Sequence, residues 1–150
     1  MINAAEERRV AFITRLFLAR NRYRFAMDDQ FKPLGITDAT WRTLFYLEQT
    51  GDGVLQKDLA RVMGIESPGL VRLLDTLEAK DLLVRKPAVN DRRGKTVHLT
   101  PQATALLAEL HLSAAQVRDQ LLENISDTEI QTCITVLDKI LDAADRGTQS

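Results

Sequence analysis

The chain has 150 residues and a formal charge of −1, from 20 basic and 21 acidic side chains. Its length and its 45% hydrophobic content fit a globular domain whose core needs no disulfide or metal, and they exclude a disordered chain. The near-neutral balance also excludes a uniformly basic nucleic-acid coat. Residues 61–100 carry 8 basic and 5 acidic groups, however, whereas residues 101–150 carry 3 and 8. A local basic patch is therefore expected in the middle of the chain.

The rare residue types bear on compartment and metal content. No stretch approaches the roughly 18 consecutive apolar residues of a membrane span, and the charged start at residues 6–9 is untypical of a secretory signal. Cys133 is the single cysteine, which fits a reducing, cytoplasmic compartment, and we expect its side chain to be buried. Because His98 and His111 are the only histidines, we expect no metal and no cofactor.

Apolar side chains spaced three and four apart predict six helices. The predicted helices cover residues 5–31, 38–50, 56–63, 68–80, 101–122 and 126–145. Helix starts are marked by Thr37, by the pairs Ser67-Pro68 and Thr100-Pro101, and by a capping box of Ser126 and Glu129.

Two short β-type runs, Leu82–Arg85 and Thr96–Leu99, interrupt this helical pattern. The segment 86–95 between them is polar and basic, so we predict a hairpin with a long loop. The element order is ααααββαα, which predicts a mostly α fold with a small β-hairpin wing, the winged helix-turn-helix class.

The segment Leu59–Leu74 has the spacing of a helix-turn-helix. Small Ala60 permits a close helix crossing, and Gly64 suits the tight turn between the helices. The outward face of the second helix supplies the candidate DNA contacts Ser67, Pro68, Gly69, Arg72 and Thr76. Arg72 is the one long cation of this face, and its guanidinium suits a guanine edge or a phosphate. The alternative is a solvated arginine on an exposed helix.

The hairpin supplies a second set of candidate DNA contacts, Arg85, Asp91, Arg92, Arg93 and Lys95. A thin basic loop beside a helix-turn-helix is typical of a wing that inserts an arginine into a narrow, electronegative minor groove. We expect Asp91 to hold one arginine by a bidentate pair. The alternative is an ordinary soluble loop.

Together these residues resemble the MarR family of winged-helix transcription regulators. The resemblance rests on Leu59-Ala60, Met63-Gly64-Ile65, the run Leu70–Asp75, Leu77-Glu78, Asp91-Arg92-Arg93 and Leu99-Thr100. Gly64–Arg72 and the Thr40-Trp41 pair are similar to the SlyA branch in particular.

The resemblance implies that Arg72 lies on the recognition helix, that Arg93 is the wing arginine that enters the minor groove, and that Asp91 is the wing aspartate. Many members have glycine where this chain has Asp81 and Ala103. We expect Asp81 to adopt the same left-handed turn at small cost, and neither change to disturb DNA binding.

The terminal helices carry more apolar surface than a small winged helix can cover, which predicts a homodimer, and the resemblance implies that the two termini form its dimerisation region. The expected interface residues are Leu106, Leu110, Ile130, Ile134, Leu137 and Leu141. The expected regions are a dimerisation region at 1–36 and 101–150 and a DNA-binding region at 37–100, with the helix-turn-helix at about 56–79 and the wing at about 86–96. The alternative is packing within one chain alone.

A small-ligand site is implied as well, since SlyA-like members respond to small aromatic carboxylates at the junction of the two regions. The candidate residues are Arg20, Tyr23, Arg24 and Trp41. An aromatic ring beside a guanidinium suits such an anion. The alternative is that Trp41 anchors the core and that the arginines are solvated or bind phosphate.

These features favour a homodimeric, sequence-specific regulator that binds double-stranded DNA and represses a pseudo-palindromic operator, with release by a small aromatic anion. An enzyme is disfavoured, because no nucleophile elbow, P-loop or dinucleotide fingerprint occurs in the sequence. The alternative is a winged-helix module that binds another protein without specific DNA binding.

Overall fold

Six α-helices and a three-stranded antiparallel sheet make up residues 3–148, the part of the chain that a computed structural model describes. The helices are α1 Ala4–Phe31, α2 Asp38–Thr50, α3 Gln56–Met63, α4 Ser67–Ala79, α5 Pro101–Leu122 and α6 Asp127–Gly147. The strands are β1 Val54–Leu55, β2 Leu83–Ala88 and β3 Asp91–Leu99, and a 3-10 turn covers Lys32–Leu34. The predicted fold class, mostly α with a small β wing, is confirmed.

Most helix starts are capped as the sequence predicts. The Thr37 hydroxyl accepts the backbone N–H of Thr40 at 3.2 Å, and Ser126 forms a full capping box with Glu129. The exception is α4, where Glu66 occupies the cap position and Ser67 is already helical, without a side-chain cap. The prediction of Ser67 as the cap is therefore wrong by one residue, because the extended backbone that precedes the helix ends at Glu66.

The hairpin is longer and its loop shorter than predicted. Strands β2 and β3 pair from Leu83 and Leu99 out to Ala88 and Asp91, so only residues 89–90 form the turn. Pro87 is tolerated because β2 is an edge strand in the order β1-β3-β2, and a bulge follows it. Strand β1 has only two residues, too few for any periodic signal, and was not predicted.

Residues 3–117 form one compact unit with a single hydrophobic core. Helices α1, α2, α3, α4 and α5 and strands β2 and β3 all contribute buried side chains to it. Phe31 and Leu107 belong to the same cluster as Leu74, so the core continues across the region boundaries expected near residues 36 and 100. Leu110 is fully buried inside its own chain, which removes it from the expected dimer interface, whereas Leu106 is half-buried.

Residues 118–148 form a second compact unit. Its helix α6 contains no buried residue, and Ile134, Leu137 and Leu141 are exposed. Cys133 is exposed as well, so the expectation of a buried cysteine is wrong for the chain taken by itself. The apolar face of α6 on which Cys133 lies is not buried by the other residues of this unit.

The first helix also leaves apolar side chains open. Only Met27 and Phe31 of α1 are buried, whereas Val10, Ile13 and Phe17 are exposed. No helix among residues 3–148 is long and apolar enough to cross a membrane.

Candidate nucleic-acid interface

The turn between α3 and α4 has the geometry that its sequence predicts. Gly64 adopts a left-handed backbone at φ +65°, and the N–H of Ile65 donates to the Ala60 carbonyl at 3.1 Å. The two helices are held by Leu59 and Ala60 of α3, which are buried together with Leu70 of α4. Val62 is exposed, because the short α3 buries only its Leu59 and Ala60 side.

The outer face of α4 presents the predicted set of polar and small residues. Ser67, Pro68, Arg72 and Thr76 are exposed, whereas Gly69 is half-buried but has open space beside its α-carbon. Leu70, Leu74 and Leu77 on the opposite side are fully buried, which fixes the direction of the outer face. Arg72 forms no ion pair with any residue that the structure describes, so its guanidinium is available to a ligand.

The tip of the hairpin carries three cationic side chains, Arg92, Arg93 and Lys95. Asp91 does not form the bidentate pair that we expected: its Oδ1 accepts the backbone N–H of Arg93 at 2.9 Å. This bond spans two residues, the pattern of an Asx turn. Asp91 therefore shapes the backbone that carries Arg93 and leaves the guanidinium free.

Arg85 lies at the base of the hairpin and is not a free cation. Its Nη2 contacts Asp75 Oδ1 at 2.5 Å and Glu78 Oε2 at 2.6 Å. The hydrogen bonds from Arg85 lower the pKa of Glu78, and in return Glu78 and Asp75 raise the pKa of Arg85. Arg85 therefore differs from the other expected wing contacts, because two acidic side chains already bind its Nε and Nη2.

A cavity of about 260 Å³ lies between the wing and the starts of α3 and α4. Its lining comprises Leu55, Gln56, Lys57, Ser67, Asp91, Arg93, Gly94 and Lys95. The wing tip and the first residue of the recognition helix therefore lie side by side. Lys57 joins Arg93 and Lys95 as a third cation here. Lys57 carries no signal of this role in the sequence, because only the pairing of β1 with β3 brings the start of α3 beside the wing.

Of the expected ligand residues, Trp41 does not line an open site. Trp41 is only 5% exposed and packs against Phe31, Phe45 and His111, with ring centroids 5.1–5.6 Å apart. It is a core anchor, which was the alternative to its ligand role. Of the other candidates, Arg20 is exposed, whereas Tyr23 and Arg24 are half-buried.

A polar cluster connects α1 with the start of α2. Asp28 Oδ1 accepts the backbone N–H of Asp38 at 2.6 Å, and Arg42 Nε donates to Asp38 Oδ2 at 3.1 Å. Arg24 Nη1 lies 4.0 Å from Asp28 Oδ2. Burial raises the pKa of Asp38, and the nearby Asp28 carboxylate adds to this, against the opposing effect of Arg42. Asp38 is thus a buried acid that is only partly compensated.

Neither histidine lies in a metal-binding arrangement. His98 Nδ1 is 3.2 Å from Asp52, and His111 Nε2 is 2.6 Å from Glu48. Within residues 3–148 there is no cluster of three or more histidine, cysteine or acidic side chains that could hold a metal ion.

Comparisons with known proteins agree with this architecture. Residues 34–94 match the family model described as MarR family. A solved structure described as the transcriptional regulator PA3341 is 36% identical, with 90% of this chain and 98% of that chain covered and a TM-score of 0.79. A mutant of MarR from E. coli, solved in complex with operator DNA, is 26% identical over 89% of this chain and 96% of that one, with a TM-score of 0.81. A MarR regulator from Methanosarcina mazei Go1, 20% identical over 91% and 98%, has the same fold at a TM-score of 0.79.

Proposed function

Because the chain belongs to the MarR family of winged-helix transcriptional regulators, we propose that it binds operator DNA as a homodimer and represses transcription there. The observation that carries this proposal is the cavity that Arg93 and Lys95 of the wing share with Ser67 of the recognition helix. The recognition helix, which suits the major groove, and the wing, which suits the minor groove, are adjacent at this cavity. The solved complex of the E. coli MarR mutant with operator DNA, an architecture similar to this chain, also supports it.

The recognition helix α4 is proposed to enter the major groove with its first two turns. Gly69 lets the backbone approach a phosphate, and the start of the helix favours an anion there. Arg72 lies one turn into the helix, is exposed and has no ionic partner among the described residues. We assign it to a base edge, where a bidentate guanidinium suits guanine O6 and N7. Thr76 donates its hydroxyl to the Arg72 carbonyl at 3.0 Å, so a DNA contact there falls to its methyl group.

The wing is proposed to enter the flanking minor groove through Arg93. Asp91 fixes the backbone at Arg93, and Lys95 and Arg92 add positive charge for the phosphates on either side. A narrow, A·T-rich minor groove concentrates negative potential and therefore attracts such an arginine. Lys57 is added to this set as a phosphate contact from the start of α3, since it lines the same cavity.

The dimer is proposed to form through the terminal regions 1–36 and 101–150, with residues 37–100 binding DNA. The exposed Ile134, Leu137 and Leu141 of α6 and the exposed stripe of α1 are the surfaces that support this assignment. Two-fold symmetry of the dimer then requires two half-sites, which makes the operator pseudo-palindromic.

A small aromatic carboxylate is proposed to release the dimer from DNA, as expected for a SlyA-like member. Within the chain, Arg20 and Arg24 are the candidate cations for binding the carboxylate. The ligand would compete for them with the carboxylates of Asp28 and Asp38. Since Trp41 is buried, it does not line an open site, but its fluorescence reports on changes in this region. Release requires the anion to bind more tightly to a dimer whose half-site spacing does not fit the operator.

The two DNA-reading elements are tested by gel shift of the full chain on its own promoter region and on a random duplex. Arg72→Ala should lose discrimination at one or two base pairs per half-site, about 1–3 kcal/mol each. Arg93→Ala should weaken binding most where the flanks are A·T-rich. Arg146→Ala, which removes the same charge from the last turn of α6, is the matched control and should bind as the unaltered chain does.

Three results would count against the assignment. Absence of any retardation at micromolar protein would favour a module that binds another protein. Equal losses on promoter and random DNA for both Arg72→Ala and Arg93→Ala would leave a purely electrostatic clamp. A loss of DNA affinity for Arg146→Ala as large as the losses for the other two variants would show that the location of the arginine in the fold does not matter.

A further inference from the structure

The wing is tied to the recognition helix by one arginine and two acids. Arg85 of β2 donates from Nη2 to Asp75 Oδ1 at 2.5 Å and to Glu78 Oε2 at 2.6 Å, and from Nε to Glu78 Oε2 at 3.1 Å. Its backbone N–H also donates to Glu78 Oε1 at 3.2 Å. Both the side chain and the main chain of the strand are therefore fixed to α4.

This arrangement is better enclosed than an ordinary surface ion pair. The Arg85 side chain is 19% exposed, against 38% for Glu78 and 58% for Asp75. Exposed pairs contribute little because water and salt screen them, whereas a forked guanidinium with two acidic partners fixes direction as well as charge. The enclosed guanidinium therefore sets an angle between α4 and β2.

The position of the acids gives a reason to expect a function in DNA recognition. Asp75 lies one turn beyond Arg72 on the recognition helix, and two carboxylates near the DNA-reading face repel phosphates. If charge alone governed binding, these acids would only weaken it. Strand β2 is at the edge of the sheet and pairs with β3 on one side only, so the bonds of Arg85 to Asp75 and Glu78 give the wing a further attachment to α4.

We propose that Arg85 is a positioning residue for DNA recognition, which holds the wing at a fixed angle to α4 through Asp75 and Glu78. Arg85 then touches no DNA itself. The two acids increase operator affinity although they are negatively charged, like the DNA. Fixing the wing beforehand lowers the entropy that is lost when Arg93 enters its groove. This inference rests on the proposed DNA-binding function.

The direction in which one substitution changes operator affinity distinguishes a positioning role from a purely electrostatic one. Glu78→Gln removes a negative charge from the DNA-facing unit, so electrostatics alone predicts equal or tighter binding. Positioning predicts that affinity for the operator falls by about five- to tenfold. Affinity for a random duplex should stay equal or rise slightly, because non-specific binding needs no defined wing angle. The matched control is Glu66→Gln, which makes the same change at the cap of α4, outside the network.

The experiment measures dissociation constants by fluorescence anisotropy at several salt concentrations, on a duplex selected from a random pool by the unaltered full chain. Asp75→Asn is the milder second variant, since Asp75 is the more exposed acid, and it should lose less than Glu78→Gln. Circular dichroism checks that each variant is folded. Arg85→Ala should weaken operator binding without changing the salt slope, whereas loss of a phosphate contact would reduce that slope by about one unit.

Each outcome bears on one idea. If the unaltered chain selects no sequence, the proposed function fails and the wing argument fails with it. If it selects one and folded Glu78→Gln and Asp75→Asn bind that operator as tightly or more tightly, the positioning of the wing is refuted while DNA binding stands. An operator loss in Glu66→Gln equal to that in Glu78→Gln would also refute it.

Discussion

Truncation of one exposed leucine should measurably weaken the dimer. Leu141 is 60% exposed in the single chain. Full burial of a leucine side chain stabilises by about 2 kcal/mol, so covering its exposed part contributes about 1 kcal/mol per copy. A two-fold dimer contains two copies, and Leu141→Ala should therefore cost about 2 kcal/mol, or about 30-fold in the dimer dissociation constant.

Sedimentation equilibrium across a dilution series measures this constant. Val89→Ala is the control, because Val89 is 99% exposed at the hairpin turn, outside the proposed dimer surface, and should leave the constant unchanged. If the unaltered dimer is too tight to dilute, Leu137→Asp should dissociate it, since an unpaired charge in an apolar interface is strongly unfavourable. A monomer at ten micromolar, or an unchanged constant for Leu141→Ala, would refute the assignment of α6 to the interface.

Three further results are expected. Because burial raises the pKa of Asp38, its ionised form destabilises the folded chain as pH rises above the ordinary value of 3.8. Asp38→Asn should thus raise Tm more at pH 7 than at pH 3 in thermal circular dichroism, and an equal shift at both pH values would contradict this. Asp81 has φ +58°, so Asp81→Gly should raise the free energy of unfolding by up to about 1 kcal/mol in urea titration, whereas a loss of stability would show that the Asp81 side chain matters. Salicylate at millimolar concentration should change Trp41 fluorescence and weaken the gel shift together, and quenching without release would separate binding from regulation.

The fold was largely accessible from the sequence because its signals are local. Thr37, Ser126 and Gly64 specify helix ends through hydrogen bonds or backbone angles within a few residues, and the structure has these ends where the sequence predicts them. The hairpin length could not be predicted from the sequence. Pairs such as Lys86 with Thr96 form through contacts between the strands, and a run of polar residues gives no sign of them. Strand β1 was missed for the same reason.

The site was predicted only in outline. The charge run at the wing tip identified Arg93, but whether an arginine is free depends on partners distant along the chain. Arg85 looked like the other wing cations and is instead paired with Asp75 and Glu78, seven to ten residues away. Trp41 looked like a ligand residue and is enclosed by three rings from α1, α2 and α5. Tertiary packing decides both cases, and periodicity carries no information about it.

Selection from a random duplex pool by the unaltered full chain tests the central claim most directly, since it assumes no operator. The account predicts enrichment of one sequence with two inverted half-sites about one helical turn apart and A·T-rich flanks, bound with a steep dependence on salt. Failure to enrich any sequence, or enrichment of a single asymmetric half-site, would contradict dimeric recognition by α4 and the wing.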